Sequence, residues 1–459
     1  MAEIWVGKFG GRSLSSIVGV KKAQQIMLDD ERRRLCVVSA PGARFDGDPK
    51  VTLMSKQLAK HNRVRSEESD HLMDDIAQRY DDIYPGSKEQ VHARLLEDFI
   101  IELPEVWYYT RLVSAGERLQ GFCFAEDSGF ELVDPLEYLV GVGNPRNAHI
   151  LPETYERLAT LDVKTRAVMA GFQCISKDGK VMILDDGGSD KTGSIVARGV
   201  GASVYENFTD SAVLSASPKF VSDPLVIHTM TRKELRDLSY SGFNLFQQSA
   251  LQPLEGTDVV LHIRGTNQYP EEGTLVVLDR VSDRDYPVQG IACREGFCSF
   301  SVDASGINDE IGVLVDLLMV FKDRKIPVEI DPSGIDDISV VVHQDYVNGN
   351  VDSIKREMSD LVYAYQTGMI HGEEFIPDPN IKKPEIEFGE NLACLVVAGK
   401  GLKQHPSVYS EVISTLSGEG IPIYARSTGM KKRVFIYAID AHKAEKAVNV
   451  LYERFIKKD

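Results

Sequence analysis

The apolar residues in the first part of the chain form short continuous runs that end in glycine or proline turns and lead into helical patterns. Residues 4–9 form one such run, which ends at Gly10-Gly11, and residues 35–38 form a second, which residues 39–42 break. Short unbroken runs are typical of buried strands, and strands that alternate with helices favour a parallel sheet covered on both faces. The pattern therefore predicts an α/β fold here.

Helical and hairpin patterns follow these two strand–helix units. Residues 50–99 and 107–124 have helical spacing of apolar positions and are expected to flank the sheet. Two further apolar runs, residues 168–172 and 180–184, bracket the turn Lys177-Asp178-Gly179 and predict a β-hairpin. The glycine-containing loop that comes next, around Gly187-Gly188, precedes an apolar stretch and predicts a helix N-terminus.

The C-terminal part of the chain contains an internal repeat. In each copy, a helical pattern leads into an Ile-Pro strand signal, and a glycine turn follows at the same spacing. The matching positions are Ile326 and Gly334 in the first copy and Ile421 and Gly429 in the second. Two β-α-β-β-α-β units explain this pattern. We therefore expect domains at residues 1–280, 281–375 and 385–459, with the proline- and charge-rich residues 377–384 as the joint between the last two.

Composition and charge restrict the class of partner. The chain has 459 residues, of which 43% are hydrophobic and 26% charged, which is typical of a globular protein of two to four domains. Its formal charge of −17 repels nucleic acids and anionic membranes, so neither is an expected partner. The first residues lack a secretion-signal pattern and no apolar run reaches membrane-spanning length, so a cytoplasmic location is expected.

Cysteine and histidine spacing gives no sign of a metal centre. The six cysteines are scattered without a Cys-x-x-Cys pair, and the ten histidines form no His-x-x-x-His pair. We expect reduced core thiols and no dedicated metal site in the protein.

Two glycine loops are candidates for binding phosphate. Lys8-Phe9-Gly10-Gly11 places a cation at a strand end beside two residues without Cβ atoms, so backbone N–H groups can approach an oxyanion. The segment Gly187-Gly188-Ser189-Asp190 repeats the arrangement at a predicted helix start. Each has an ordinary structural interpretation: a strand-edge lysine beside a flexible turn, and a capped helix.

Two further positions carry polar groups in otherwise apolar surroundings. Glu117 lies in Ser114-Ala115-Gly116-Glu117, on a segment patterned for packing, where a carboxylate can pair with a substrate ammonium; a solvated helix glutamate is the alternative. Thr209-Asp210 follows an apolar strand, where small polar groups can meet a nucleotide or simply cap a turn.

Taken in order along the chain, these segments resemble the aspartate kinases of the amino-acid kinase family. The resemblance spans nearly the whole chain. The segments that carry it are Lys8-Phe9-Gly10-Gly11, Val37-Val38-Ser39-Ala40, Ser114 with Gly116-Glu117, Gly187-Gly188-Ser189-Asp190, Thr209-Asp210, and residues 234–242. The C-terminal repeat resembles the tandem ACT domains of that family. The resemblance implies a three-layer parallel-sheet amino-acid kinase domain followed by two ferredoxin-like ACT domains.

The resemblance also implies an activity and a set of site residues. The activity is ATP-dependent transfer of a phosphoryl group to the side-chain carboxylate of L-aspartate, with ATP and Mg²⁺ as cofactors. Lys8 and Asp190 would be catalytic. Phosphate and nucleotide binding would involve Gly10, Gly11, Ser13, Gly187, Gly188, Thr209 and Asp210. Substrate binding would involve Ser39, Thr52, Glu117 and Ser189. Such catalysis depends mainly on positioning and electrostatic stabilisation.

Among the departures from the family pattern, two concern the substrate site. Arg12 stands where the family has threonine, and Asp186 stands where it has the arginine that pairs with an aspartate carboxylate. We hypothesise that Arg12 replaces that guanidinium as a substrate-binding residue. Two alternatives stay open: a kinase for another amino acid or small carboxylate, and a catalytically weak regulatory relative that binds amino acids.

Regulation and assembly follow from the same resemblance. The family's effector site corresponds to Asn308, Asp309 and Ile311, and lysine or threonine is the candidate effector. A capped helix beside a strand is the alternative interpretation of these residues. ACT domains usually pair between chains, so a homodimer or a higher homo-oligomer is expected.

Overall fold

The computed structural model describes residues 3–185, 187–240, 246, 248–280, 287–369, 381–428 and 433–457. Its internal contacts divide the chain into two compact units. Unit 1 comprises the described parts of residues 1–213, 226–235 and 244–280, and unit 2 those of residues 214–225, 236–243 and 281–459. No helix among these residues is long and apolar enough to cross a membrane.

Unit 1 is built on parallel strands with helices packed against them. Its strands are β1 (Trp5–Phe9), β2 (Arg33–Val38), β3 (Glu131–Val133), β4 (Val140–Asn144), β5 (Asn147–Ile150), β6 (Ala167–Ala170), β7 (Gln173–Ser176), β8 (Val181–Ile183), β9 (Val204–Thr209), β10 (Thr229–Thr231), β11 (Val260–Gly265) and β12 (Thr274–Val277). Its helices are α1 (Ile17–Leu28), α2 (Val51–Lys60), α3 (Glu67–Asp81), α4 (Lys88–Ile100), α5 (Glu105–Val113), α6 (Ala115–Ser128), α7 (Pro135–Tyr138), α8 (Glu153–Leu158) and α9 (Gly188–Gly199), and α10 (Arg232–Tyr240) begins in this unit.

The main sheet of unit 1 has the strand order β10-β12-β11-β9-β1-β2-β6-β3. Strand β1 lies between β2 and β9, parallel to both, so the carboxyl ends of all three strands meet at one edge. Lys8 is paired in register with Val37 on β2 and with Asn207 on β9. Ligands of open parallel sheets bind beyond such carboxyl ends, and this edge therefore positions the candidate site.

Apolar strands and amphipathic helices give unit 1 its core. Val6 and Phe9 of β1 are fully buried, as expected for a strand covered on both faces. Helix α1 starts where the Ser16 hydroxyl accepts a hydrogen bond from the Gly19 N–H, which satisfies one of the free donors at that end. Helices α2 to α6 pack their apolar faces into one cluster with α1 and β1, which fixes the loops after β1 and β2.

A smaller sheet of unit 1, in the order β5-β4-β7-β8, corrects one prediction. A hairpin does surround the turn at Lys177-Asp178-Gly179, but its first strand is β7 and not residues 168–172. Those residues fall mostly in β6, which belongs to the main sheet. The chain changes sheets at Gly171-Phe172, where Phe172 has φ of 73°, a conformation that interrupts a strand.

The described part of unit 2 contains a six-stranded sheet in the order β14-β15-β13-β16-β18-β17. Its strands are β13 (Gly290–Asp303), β14 (Val328–Ile330), β15 (Asp337–His343), β16 (Ile386–Ala398), β17 (Ile423–Thr428) and β18 (Val434–Asp440), and its helices are α11 (Val313–Asp323), α12 (Val351–Gln366), α13 (Ser407–Gly418) and α14 (Ala444–Phe455). The two repeats meet where β13 and β16 pair antiparallel. Helices α11 and α12 cover the first repeat, and α13 and α14 cover the second.

Candidate active site

A cleft of about 730 Å³ opens at the carboxyl ends of the central strands of unit 1. Most of the residues predicted for the site line it, although they come from distant parts of the sequence. From the glycine loops and strand ends these are Lys8, Gly10, Gly11, Arg12, Thr209 and Asp210. From the helix starts and the β2 loop they are Ser39, Thr52, Glu117, Gly187, Gly188, Ser189 and Asp190. The fold therefore brings the predicted phosphate-binding and substrate-binding groups into one place.

Lys8 and Asp190 form an ion pair at the base of this cleft. The Lys8 Nζ atom lies 2.5 Å from Asp190 Oδ1, and only 7% of the lysine side chain is exposed. Asp190 belongs to the first turn of α9, where a carboxylate is favoured by the helix dipole. Asn207, which neighbours Lys8 on β9, donates from Nδ2 to the same Asp190 oxygen at 3.3 Å. The lysine ammonium is thus held at a strand end, facing the glycine loops.

Close backbone packing requires glycine in the loops after β1 and β2. The Gly42 N–H donates to the Gly11 carbonyl oxygen at 2.8 Å, and a Cβ atom on Gly11 would lie 2.6 Å from the Ala40 carbonyl oxygen. Gly187 has φ of 79° immediately before α9, a backbone conformation that glycine adopts without strain. The loops at Gly11 and Gly187 both line the cleft, and the loop at Gly187 leads into a helix N-terminus, which favours anions such as phosphate.

Glu117 is a buried carboxylate in the first turn of α6. Only 4% of the residue is exposed, and its Oε2 atom has no hydrogen-bond partner among the described residues. Burial raises the pKa of Glu117 from an ordinary value of 4.5 to about 7, against the opposing effects of backbone N–H groups at Glu117 and Ala40 and of the charges on Arg118 and Lys56. A carboxylate in this state lacks a cationic partner, and a substrate ammonium can supply one.

Arg12 and Asp210 pair at the outer part of the cleft. Arg12 Nη1 lies 2.8 Å from Asp210 Oδ2, and 66% and 52% of the two side chains are exposed. The Ser13 hydroxyl contacts Thr266 Oγ1 at 2.7 Å, and Ser13 is the one residue predicted for phosphate binding that does not line the cleft.

The structure adds residues that sequence patterns did not single out. Lys50 and Lys56 line the cleft from the start and middle of α2, and Phe172 and Phe246 line it as apolar groups. The four-residue spacing between Thr52 and Lys56 would have placed them on one helix face, but only the fold shows which face meets the cleft. Asn207 carried no signal of its own, because it lies inside an apolar strand.

The remaining predicted positions lie elsewhere. Asp186 and the Asn308 side chain fall outside the described residues. Asp309 ends a short 3-10 turn in unit 2, and Ile311 is 92% exposed just before α11. Among the described residues, no group of three or more His, Cys, Asp or Glu side chains could hold a metal ion, and the six cysteines are free thiols.

Comparison with known families defines the class to which this fold and cleft belong. A model of the amino acid kinase family matches residues 3–265, more than half of the chain, and an ACT-domain model matches residues 395–455. The chain therefore belongs to the amino acid kinase family. Together with the sheets described above, the two matches confirm the predicted fold class.

Individual relatives narrow the assignment. The chain is 31% identical to Aspartokinase 3 of Bacillus subtilis over 98% of both chains. The crystal structure of Clostridium acetobutylicum aspartate kinase superposes with a TM-score of 0.83 at 26% identity, covering 99% of this chain and 100% of that one. Escherichia coli aspartokinase III in complex with aspartate and ADP has a TM-score of 0.74 over 99% of this chain and 100% of that one, and at 20% identity it shows the fold alone. Within the family, this chain belongs with the aspartokinases.

Proposed function

We propose that this chain transfers the terminal phosphoryl group of ATP to the side-chain carboxylate of L-aspartate, forming 4-phospho-L-aspartate in the first step of lysine, threonine and methionine biosynthesis. The observation that carries the proposal is the buried Glu117 carboxylate, whose Oε2 atom has no hydrogen-bond partner among the described residues, in the same cleft as Lys8 and two glycine loops. The Glu117 carboxylate can bind an amino group, and Lys8 and the glycine loops can bind phosphate. The aspartokinase relatives support aspartate as the acceptor.

The nucleotide phosphates would lie between the two glycine loops. Gly10, Gly11 and the N-terminus of α9 at Gly188 line the cleft. The Gly10 N–H donates to the Phe208 carbonyl oxygen at 3.1 Å, so the Gly11 loop and the start of α9 are the parts that would bind the anion. Lys8 adds a full positive charge in a buried setting, where electrostatic stabilisation is strongest. Asp190 keeps the lysine ammonium in place before ATP arrives.

The chemical step is an in-line displacement at the terminal phosphorus. An oxygen of the substrate carboxylate forms the new bond to phosphorus, and the bond to the β–γ bridging oxygen breaks, with its electron pair leaving on ADP. The carboxylate is already ionised, so no general base is needed to activate it. Lys8 neutralises the negative charge that builds up on the transferred group, and the loops supply positioning.

Aspartate would be held by its ammonium group against Glu117. Ser39, Thr52 and Ser189 line the same cleft and offer hydroxyl donors to the substrate carboxylates. Because Glu117 has a pKa of about 7 without substrate, ammonium binding favours its ionised form and restores the charge that burial disfavours.

Magnesium would arrive with the nucleotide. Asp190 and Asp210 line the cleft beside the phosphate loops, and carboxylate oxygens are the ligands that Mg²⁺ prefers, so the residues present fit the ion. When bound, Mg²⁺ supplies charge neutralisation on the β- and γ-phosphate oxygens.

Regulation by an end-product amino acid is the second part of the proposal. The ACT-domain match to residues 395–455 supports amino-acid sensing by unit 2, with domains at residues 281–375 and 385–459. Lysine is the first candidate, because aspartokinase III of Escherichia coli has been solved with lysine and aspartate; threonine is the second. Among the described residues, we propose Asp309 and Ile311 as contacts of the effector. We also propose that the protein is a homodimer and that it is located in the cytoplasm.

The direct test is capture of the acyl phosphate as a hydroxamate, with ATP, Mg²⁺ and each common amino acid offered in turn. We expect product with L-aspartate and inhibition of the reaction by lysine or threonine. Product with a different amino acid would replace the substrate assignment, and amino-acid binding by calorimetry without turnover would replace catalysis with a regulatory role. A rate unchanged in Arg12→Ala would remove Arg12 from the substrate-binding set.

A further inference from the structure

The proposed binding of aspartate leaves its α-carboxylate without a cationic partner. The α-ammonium and the α-carboxylate of an amino acid are attached to the same carbon, so an ammonium held by Glu117 brings the α-carboxylate to within about 5 Å of the Glu117 carboxylate. Two carboxylates that close in a partly buried cleft repel each other strongly. A cation close to Glu117 is therefore needed.

Three cations in or beside the cleft are engaged in ion pairs, and a fourth, Lys50, is exposed where α2 begins. Lys8 is paired with Asp190 beside the phosphate loops, and Arg12 is paired with Asp210 at the ends of β1 and β9. Arg118 follows Glu117 in the sequence but does not line the cleft, and it forms an ion pair with Asp98. None of these is placed to receive an α-carboxylate beside Glu117.

Lys56, in contrast to these cations, lies on α2 near Glu117. It lies one helical turn after Thr52 on α2, and both side chains line the cleft. The start of α2 packs against α6 beside Glu117, since a Cβ atom on Gly116 would lie 3.0 Å from Val51 Cγ1.

The Lys56 side chain is available for a ligand. It is half-buried, and among the described residues it makes no ion pair or hydrogen bond. Its charge acts on Glu117, where it lowers the carboxyl pKa in opposition to burial. Lys56, Thr52 and Glu117 line the same cleft, so the Lys56 ammonium can reach an α-carboxylate bound beside Glu117.

We propose that Lys56 binds the α-carboxylate of the amino-acid substrate and, with Glu117, makes the cleft specific for α-amino acids. The inference rests on the proposed function, and it assigns to Lys56 the charge contact that the sequence pattern had suggested for Arg12. A carboxylic acid that lacks the α-carboxylate leaves the Lys56 ammonium unpaired and is rejected.

The test combines a residue change with a substrate change. Lys56→Met and Lys56→Arg are compared with Lys60→Met, a matched control on the exposed last turn of α2. Each protein is assayed with L-aspartate and with L-aspartic acid α-amide, which keeps the ammonium and the reacting carboxylate but has a neutral group in place of the α-carboxylate. Binding of both compounds is also measured by calorimetry, which does not require turnover.

We expect Lys56→Met to raise the KM for L-aspartate about 10- to 100-fold, the loss of one charge-assisted contact, with the KM for ATP unchanged. The same variant should lose the preference for aspartate over its α-amide, Lys56→Arg should restore part of it, and Lys60→Met should behave as the unmodified protein. Removing the lysine charge should also move the pH dependence of kcat/KM to higher pH, because Glu117 then ionises at a higher pH.

An unchanged KM and an unchanged preference in Lys56→Met would overturn the assignment, as would an equal loss in Lys60→Met. If Lys56→Met does not fold, Lys56→Gln replaces it in the same comparison. Failure of the proposed function gives a different result: the unmodified protein forms no acyl phosphate, while calorimetry still reports whether Lys56 discriminates aspartate from the α-amide.

Discussion

Replacing Glu117 with glutamine should stabilise the ligand-free protein while it weakens substrate binding. The carboxyl group is 4% exposed, and its pKa is about 7 in the folded chain against an ordinary value of 4.5. Each unit of pKa difference corresponds to about 1.36 kcal/mol, so above pH 7 the free energy of unfolding is lower by about 3 kcal/mol. Glutamine has the same shape and no charge to desolvate, so most of that cost should disappear.

The size of this stabilisation depends on pH. Below pH 4.5 the carboxyl group is protonated in the folded and unfolded chains alike, so the substitution changes little. As the pH rises from 4.5 towards 7, the unfolded chain releases its proton first, and the unmodified protein loses stability relative to Glu117→Gln. Above about pH 7 the difference reaches its full value.

Thermal unfolding of the ligand-free protein between pH 5 and pH 8.5 measures this difference. Glu117→Gln is compared with the unmodified protein and with Glu126→Gln, which makes the same charge change at an exposed position on α6. We expect a gain in Tm that grows with pH in the first variant and a flat, near-zero difference in the second. A constant or falling gain for Glu117→Gln would show that burial does not raise the pKa of this carboxyl group.

Three further predictions concern the cleft and the core. First, kcat/KM for aspartate should rise with pH through about 7, since only ionised Glu117 attracts the substrate ammonium; a flat profile from pH 6 to 8.5 would contradict this. Second, Gly11→Ala should lower kcat about 100-fold and also lower Tm, because the new Cβ atom displaces the phosphate loop from Ala40; steady-state kinetics below the melting transition would detect the loss, and an unchanged kcat would contradict it. Third, Glu206→Leu should cost about 3–5 kcal/mol in denaturant unfolding, because it leaves Arg33 and Arg264 buried without their shared carboxylate; a loss under 1 kcal/mol would refute this.

Local sequence patterns predicted much of the fold. The run that ends at Gly10-Gly11 predicted β1, its turn and α1, because strand burial, glycine conformations and the Ser16 cap all act within a few residues. The same reasoning was wrong about the first strand of the hairpin. Apolar residues continue from β6 into Phe172, and only the positive φ of Phe172 shows that the chain changes sheets there.

Motifs predicted most of the residues that line the cleft, whereas the contacts between them were not predictable. Lys8 and Asp190 each carried a phosphate-site signal, but their contact depends on the register between distant strands. The Arg12–Asp210 pair joins residues 198 positions apart, and no local pattern specifies it. Lys56 lies in a charged helical segment where most lysines face solvent, so its position in the cleft becomes visible only once α2 is packed against α6.

One cleft is proposed to contain two separate sites, a phosphate site at Lys8 and an ammonium site at Glu117. Steady-state hydroxamate kinetics on the unmodified protein, Lys8→Met and Glu117→Gln, with ATP and L-aspartate varied in turn, test this proposal most directly. We predict that Lys8→Met lowers kcat by at least about 100-fold, and that Glu117→Gln raises the KM for aspartate about 10- to 100-fold while the KM for ATP stays unchanged. Equal effects of both variants on the two substrates, or full activity in either variant, would contradict it.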